Sequence, residues 1–481
     1  MPDFTSPATA RRNLIVLERG DEELLLVDSF HLRPLYVRRG GDRIKSILAA
    51  AAEDHPADWL KETFQDDGPL IDLLVSHGIV AARPPASRGG KTPAAEPKPA
   101  VAGEKGRITL YLLLSESCNL RCIYCLNGPK TYLTSERGRM SAKVAFASIE
   151  LCLRELRSGG VVEVAFFGGE PLLQWGLIKE IIGHCEERLK PAHPDKQIKY
   201  HLTSNLTLRP PDLPEWVTRH KISVLCGIDG PPEVHDRCRA HPGGGPSHAQ
   251  SAETIRQLVD AGCRITLRAT MTAVNHDCLA EVAAHHTELG ASSSLFVPVR
   301  PLNSDQEFFP EEILPDPDKI IAAALELGRQ GASGKTNLFP FNDFSAKVRP
   351  GVRHVVACGA PYGTTYVVRT SGDVYPCIYL VGRPEYRLGN VSGPLDYRPL
   401  EEMMRALHVD RRAQCGGCAW RYACGGGCPV MHMARVGAET RPRVAEYCRA
   451  VTCDYSQAML TAGLWDLANR SGIGASIRSE V

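Results

Sequence analysis

The chain lacks an excess of either charge: 56 Lys and Arg stand against 55 Asp and Glu, a net charge of +1. That leaves no electrostatic case for a nucleic acid or an anionic membrane as partner. No run of 18 apolar residues occurs, so nothing reads as a membrane-spanning helix. The opening stretch, Met1-Pro-Asp-Phe-Thr-Ser6, lacks the basic and apolar regions of a signal peptide, and a cytoplasmic location is expected. Cysteine is missing before Cys118, although the chain has 17. In the cytoplasm these are thiols or metal ligands rather than a disulfide framework. Eight of them fall between Cys358 and Cys453. A hydrophobic content of 43% and a charged content of 23% suit a globular protein. The length of 481 residues suggests roughly two to four domains.

The stretch that organises the rest is Cys118-Asn-Leu-Arg-Cys122-Ile-Tyr-Cys125. It follows Ile108-Thr-Leu-Tyr-Leu-Leu-Leu114, an apolar run that reads as a buried strand. Three thiolates on one loop can hold three corners of a four-iron cluster and leave one iron open. A zinc site would want a fourth ligand close by, and none follows Cys125 until Cys152.

With Tyr124 before the last Cys, this motif resembles that of the radical S-adenosylmethionine (radical SAM) enzymes. The resemblance implies that the open iron chelates SAM. One electron then cleaves SAM to methionine and a 5′-deoxyadenosyl radical, which abstracts a substrate hydrogen. A flavodoxin or ferredoxin would supply the electron.

Residues 107–340 alternate apolar strands (108–114, 161–167, 198–203, 222–228, 264–270, 294–299) with amphipathic helices (141–157, 174–189, 249–261, 277–289). That is the pattern of an α/β parallel sheet, and the resemblance makes it an open six-unit partial β/α barrel. Ligand groups are then expected at the carboxyl ends of the strands. There stand Gly168-Gly169-Glu170-Pro171, similar to the family motif that contacts the SAM amine. Ser204, Asn205 and Asp229 end the next two strands, and all three resemble positions near SAM or substrate. By the same resemblance Arg268 pairs with the SAM carboxylate. Cys152, Cys185, Cys226, Cys238, Cys263 and Cys278 have no ligand spacing and read as packing residues.

Residues 341–455 carry the second cysteine field, and 456–481 read as a helix and tail. The spacing of Cys358, Gly372, Cys377, Cys415, Cys418, Cys424, Cys428, Cys448 and Cys453 resembles the SPASM extension, which holds two auxiliary iron–sulfur clusters. Carried over, Cys415, Cys418, Cys424 and Cys448 hold the distal cluster. Cys358, Cys377 and Cys428 hold the proximal one. Thr364 stands where several relatives have a fourth proximal ligand. Either one iron is open or Cys453 caps it, and Cys448 and Cys453 can also exchange places.

Residues 1–84 read as three short strands followed by three helices, at 42–52, 59–64 and 69–77, with Gly20-Asp21 as a turn and Gly78 as a cap. They resemble the winged-helix precursor-recognition element of peptide-modifying enzymes, the type of the pyrroloquinoline-quinone peptide chaperone. There a leader peptide adds to the third strand and packs on the third helix. Leu35, Tyr36, Val37, Ile71 and Leu74 would be the contacts. Residues 85–106, rich in Pro, Ala, Gly and Lys, read as a flexible linker that tethers this domain.

Together these resemblances imply an enzyme with three four-iron clusters and SAM that matures a ribosomally made peptide. The cross-link would be a thioether or a carbon–carbon bond. An anaerobic sulfatase maturase, which makes formylglycine, is the alternative. In that family an Asp proposed as the base follows the hairpin Cys, whereas this chain has Cys377-Ile378. A peptide-binding iron–sulfur redox carrier is a reading from another class. The sequence names no catalytic acid or base.

Overall fold

The computed structural model describes residues 14–19, 23–28, 33–38, 41–52, 55, 57–76, 79–80, 103–127, 138–303, 307–331, 337–339, 353–438 and 440–471. The expected turn at Gly20-Asp21, the Gly78 cap and linker residues 85–102 lie outside them.

At the N-terminus β1 (Leu14–Arg19), β2 (Glu23–Asp28) and β3 (Arg33–Arg38) form an antiparallel meander. Helices α1 (Gly41–Ala52), α2 (Ala57–Thr63) and α3 (Gly68–Ser76) follow. Side chains alternate across a strand, so Leu24-Leu-Leu-Val27 makes β2 apolar on both faces. Such a sheet needs two covers. Leu24, Leu26 and Leu35 pack with Ile44, Ile47, Leu60, Ile71 and Leu74 of the helices. On the other face Ile15, Leu17, Leu25 and Val27 pack with Ala423, Leu460 and Leu464, far along the chain. Tyr36 meets Trp465 edge-on, with ring centroids 6.1 Å apart. The domain expected to be held by its linker therefore has a packed seat as well.

A second sheet has ten strands. It comprises β4 (Lys105–Ser115), β5 (Leu156–Gly168), β6 (Gln197–Ser204), β7 (Ser223–Gly227), β8 (Ile265–Met271), β9 (Ser293–Pro298), β10 (Asn337–Phe339), β11 (Thr365–Val368), β12 (Asp373–Tyr375) and β13 (Gly389–Asn390). The order is β10-β9-β8-β7-β6-β5-β4-β11-β12-β13. Pairing from β4 to β10 is parallel throughout. Crossovers include α4 (Ala142–Glu155), α5 (Trp175–His184), α6 (Leu213–Arg219), α7 (Pro232–Cys238), α8 (His248–Asp260) and α9 (Leu279–Glu288). The six expected strands all form, within a few residues of their expected ends.

Three features depart from the expected outline. Helices α6 and α7, seven residues each, are too short to show a period. Helix α10 (Pro317–Gly331) was legible, since Ile320, Ala324 and Leu327 recur at helical spacing and bury against Tyr455, Ala458 and Met459. Finally, the cysteine-field hairpin β11–β12 does not stand apart. Strand β11 pairs in parallel with β4 and extends the main sheet across the expected boundary at 340. A buried knot fastens this seam: Lys105 donates to Glu155 at 2.6 Å and to Tyr366, and Tyr397 donates to Glu155. After the hairpin come α11 (Arg398–Leu407), α12 (Pro429–Gly437), α13 (Pro442–Thr452) and α14 (Asp454–Ser471). Among the described residues no helix is long and apolar enough to cross a membrane.

Candidate active site

The Cys118 loop leaves the carboxyl end of β4 and is held by its neighbours' backbone. Gly169 N–H donates to Ser115 O at 2.7 Å, and Glu170 N–H to Ser117 O at 2.9 Å. A Cβ on Gly169 would lie 2.1 Å from Ser117 O, and Gly168 adopts φ +133°. Both glycines thus let the end of β5 lie directly on the cysteine loop. Farther along, Arg121–Cys122 pairs with Arg239–Ala240, and Asn119 bonds Thr207 at 2.7 Å and Asn205 at 3.0 Å. Burial pushes the Cys118 thiol up, and Cys122 to about 12. Without metal Cys118 and Cys122 are therefore protonated, and metal binding must displace those protons.

Glu170 is 1% exposed. Its carboxylate accepts from Leu172 N–H at 2.9 Å, Ser204 Oγ at 2.7 Å and Asn205 N–H at 2.9 Å. A carboxylate has about four acceptor positions, so one remains for an ammonium. Ser204 and Asn205 are thus placed beside the site, and Asn205 Nδ2 also lies 4.0 Å from Cys118 Sγ.

Asp229 has a different part from the one expected. It is fully buried and accepts from Arg239 Nε at 2.8 Å, Thr270 N–H at 2.9 Å, a second Arg239 nitrogen at 3.4 Å and the Tyr124 hydroxyl. These fill its acceptor positions, so it has none left for SAM. Burial works against its charge, but Arg239 outweighs burial and holds the carboxyl below its ordinary value. The Arg239 guanidinium also lies 5.4 Å from the Tyr124 ring centroid, and a Cβ on Gly227 would strike it. Asp229 and Arg239 therefore clamp Tyr124, and with it the cysteine loop. Arg268 lies in β8 near this pair, and its Nε is buried without a hydrogen-bond partner among the described residues. Burial and the neighbouring Arg239 both disfavour its charge. A carboxylate placed there would satisfy it, which fits the SAM reading.

In the second field two groups of thiols separate. Cys377 and Cys428 lie close together with Cys358 beside Cys377, and burial pushes Cys377 up to about 12. Cys428 caps the start of α12; burial raises its thiol, but Arg300 and the helix N–H groups outweigh burial and hold it below its ordinary value. Thr364 turns into its own loop and donates to Gly359 O at 3.1 Å. The other group lines one cavity: Cys415, Cys418, Cys424, Cys448 and Cys453, with Arg412, Arg421 and Arg435 in the wall. Cys453 sits in that cavity, near Cys418 and Cys415, so it is not placed to cap the proximal three. Cys448 lines the same cavity and also faces Cys428.

Cys152, Cys185, Cys226 and Cys238 are buried as packing residues. Three groups that the sequence did not single out belong to the site: Arg239, Arg300 and Tyr379. Arg300 follows the end of β9, a position that the strand-end rule could have flagged. Arg239 and Tyr379 carry no sequence signal, since only tertiary contacts bring them in. In the N-terminal domain Leu35, Ile71 and Leu74 are core side chains with no exposure. As peptide contacts they are corrected: burial against the helices leaves them no surface to offer. Tyr36 faces Trp465 and bonds Glu23 at 2.5 Å, and the Val37 side chain lies outside the described residues. What β3 exposes is its outer backbone edge, unpaired among the described strands.

Residues 112–285 match the profile described as the Radical SAM superfamily. The chain is 28% identical over 351 residues to an uncharacterized protein of Archaeoglobus fulgidus, covering 71% of this chain and 78% of that one. It is 24% identical over 378 residues to the serine-type anaerobic sulfatase-maturating enzyme of Bacteroides thetaiotaomicron, covering 69% and 84%. Over 139 residues it is 28% identical to the radical SAM cyclopropyl synthase TigE of Paramaledivibacter caminithermalis, 26% of this chain and 28% of that one. Among solved structures, native anSMEcpe with bound AdoMet superposes with a TM-score of 0.62 at 20% identity, over 76% of this chain and all of that one. Streptococcus suis SuiB bound to precursor peptide SuiA gives 0.52 at 15%, over 88% and 95%. At these identities the structures show a shared fold.

Proposed function

Because residues 112–285 form a radical SAM domain and the chain is an enzyme, we propose that it matures a ribosomally synthesised precursor peptide by forming a thioether or carbon–carbon cross-link. One observation carries this reading. Two sets of three thiols, Cys118/Cys122/Cys125 and Cys358/Cys377/Cys428, border one apolar cluster, against which Tyr124 of the first loop and Tyr379 and Cys428 of the second field all pack. A three-thiol set leaves an iron open, and two such sets offer one place for SAM and one for substrate sulfur.

Cys118, Cys122 and Cys125 would hold the first cluster, Glu170 the SAM amine and Arg268 its carboxylate. Bound there, cluster and SAM supply one-electron cleavage and hydrogen abstraction from an unactivated carbon. The chain's own residues orient and protect. Asp229 and Arg239 fix the loop through Tyr124. The apolar wall of Val299, Leu302, Phe308 and Tyr379 keeps water away from the region between the thiol sets. The distal cavity would hold a further cluster. The N-terminal meander supports leader binding through the free edge of β3, by strand addition. A small flavodoxin or ferredoxin is the fitting reductant, and the cytoplasm the fitting compartment.

The formylglycine alternative has a longer curated match in its favour, 69% of this chain against 26% for TigE. Against it, Ile378 packs with Leu113, Val367 and Tyr375 at the place where that family has its proposed base. An alkyl group cannot accept a proton. The test is to incubate reduced, reconstituted protein and SAM with the peptide of a neighbouring small reading frame. Loss of two hydrogens from the peptide, with one 5′-deoxyadenosine per event, is expected. Conversion of a sulfatase-derived Cys or Ser peptide to formylglycine, with no change in the precursor, would overturn the reading.

A further inference from the structure

We propose that Arg300 sets the reduction potential of the proximal cluster by holding a fixed cation against its ligands; this rests on the reading that Cys358, Cys377 and Cys428 hold one. Arg300 stands two residues beyond β9, between the barrel and the second cysteine field. Its backbone is pinned from both sides. Val299 N–H donates to Met271 O at 3.1 Å, and the Tyr447 hydroxyl of α13 donates to Val299 O at 2.6 Å. Val299 itself packs with Val430, Met431 and Tyr447, a cluster that Cys428 and Tyr379 also border.

From that anchor the guanidinium carbon lies 5.1 Å from the Tyr379 ring centroid. Its Nε is buried and bonds nothing among the described residues. Cys428, Tyr379 and Cys377 lie beside it, and among the described residues no carboxylate forms an ion pair with it. Arginine does not lose its proton in proteins. A buried guanidinium without a carboxylate is costly unless some other anion compensates. Here the available anion would be a bound cluster with the thiolates that ligate it. Arg268, by contrast, has Asp229 close by.

A cation beside a cluster favours the reduced, more negative state, so its removal must lower the potential. The experiment is a redox titration followed by EPR on full-length, anaerobically reconstituted protein, with iron counted on each sample. The couple that disappears in Cys428→Ala is taken as the proximal one. Arg300→Met keeps the bulk without the charge. It should move that couple to lower potential by about 59 mV, a tenfold fall in the reduced-to-oxidised ratio at fixed potential, with iron unchanged. Arg300→Lys should stay within a third of that shift from the wild type. An unmoved couple in Arg300→Met with full iron overturns the proposal. So does loss of about four irons from both variants, which would make Arg300 a structural support. If wild-type protein shows no couple that depends on Cys428, the cluster reading itself falls, and this inference with it.

Discussion

The two thiol fields are built in opposite ways. In the first, three cysteines lie within eight residues on one loop, and contacts from the protein hold that loop. Backbone bonds from Gly169 and Glu170, the Asn119–Asn205 contact and the Asp229–Arg239–Tyr124 clamp fix it from beyond the ends of the main sheet's strands and from the short strand Arg239–Ala240. The second gathers eight cysteines from a hairpin, short turns and the starts and ends of three helices. Its walls are arginines: Arg300 on one side, Arg412, Arg421 and Arg435 on the other. Part of the field is then covered by another domain, since Trp420 and Cys424 border the patch where the N-terminal sheet docks. A cluster held by one local loop would be gained or lost without unfolding, whereas a cluster gathered from distant elements would tie those elements together.

The sharpest way to break the contrast is to remove one thiol from the first field. Cys122→Ala should abolish 5′-deoxyadenosine formation and lose about four irons, while the auxiliary EPR signals persist. Mass spectrometry beside an iron assay reads both. Signals lost from every cluster would mean that the fields are not independent.

A smaller effect separates Cys448 from Cys453. Five thiols line the distal cavity, one more than a four-iron cluster uses. One of the single alanine variants should therefore keep its full iron, and the double variant should lose about four. Loss in both single variants would place the fifth thiol on another cluster.

The cover should matter least. Trp465→Ala removes an edge-on aromatic contact worth about 0.5–1.5 kcal/mol. Limited proteolysis should release residues 1–80 faster, with iron content and deoxyadenosine formation unchanged. An unaltered digestion rate would show that this contact does not hold the domain.

Legibility in the sequence follows the same contrast. The first field could be read because its ligands are local, and because β5 and β6 deliver Glu170, Ser204 and Asn205 at strand ends where an α/β sheet exposes them. Arg268, expected to pair with the SAM carboxylate, lies mid-strand, and its Nε is buried without a hydrogen-bond partner among the described residues. Asp229 was expected near SAM or substrate; its partners in the chain are Arg239, Thr270 and Tyr124, and Arg239 is invisible to strand logic. In the second field the resemblance implied a grouping but left the places of Cys448 and Cys453 open, because these depend on how α13 and α14 pack. Leu35, Ile71 and Leu74 were read as surface because pattern alone does not show which face of a doubly apolar sheet meets its own helices. The continuous apolar runs of β1 and β2 did carry the missing information: a sheet with two apolar faces has a second partner.

The measurement that tests the central claim most directly is a joint count of iron and 5′-deoxyadenosine on the wild-type protein, reconstituted without oxygen, reduced and given SAM. The account predicts about twelve irons per chain, with deoxyadenosine formed. About four irons or fewer, with SAM intact, would contradict it, because the second field would then hold no clusters and the first would do no radical chemistry.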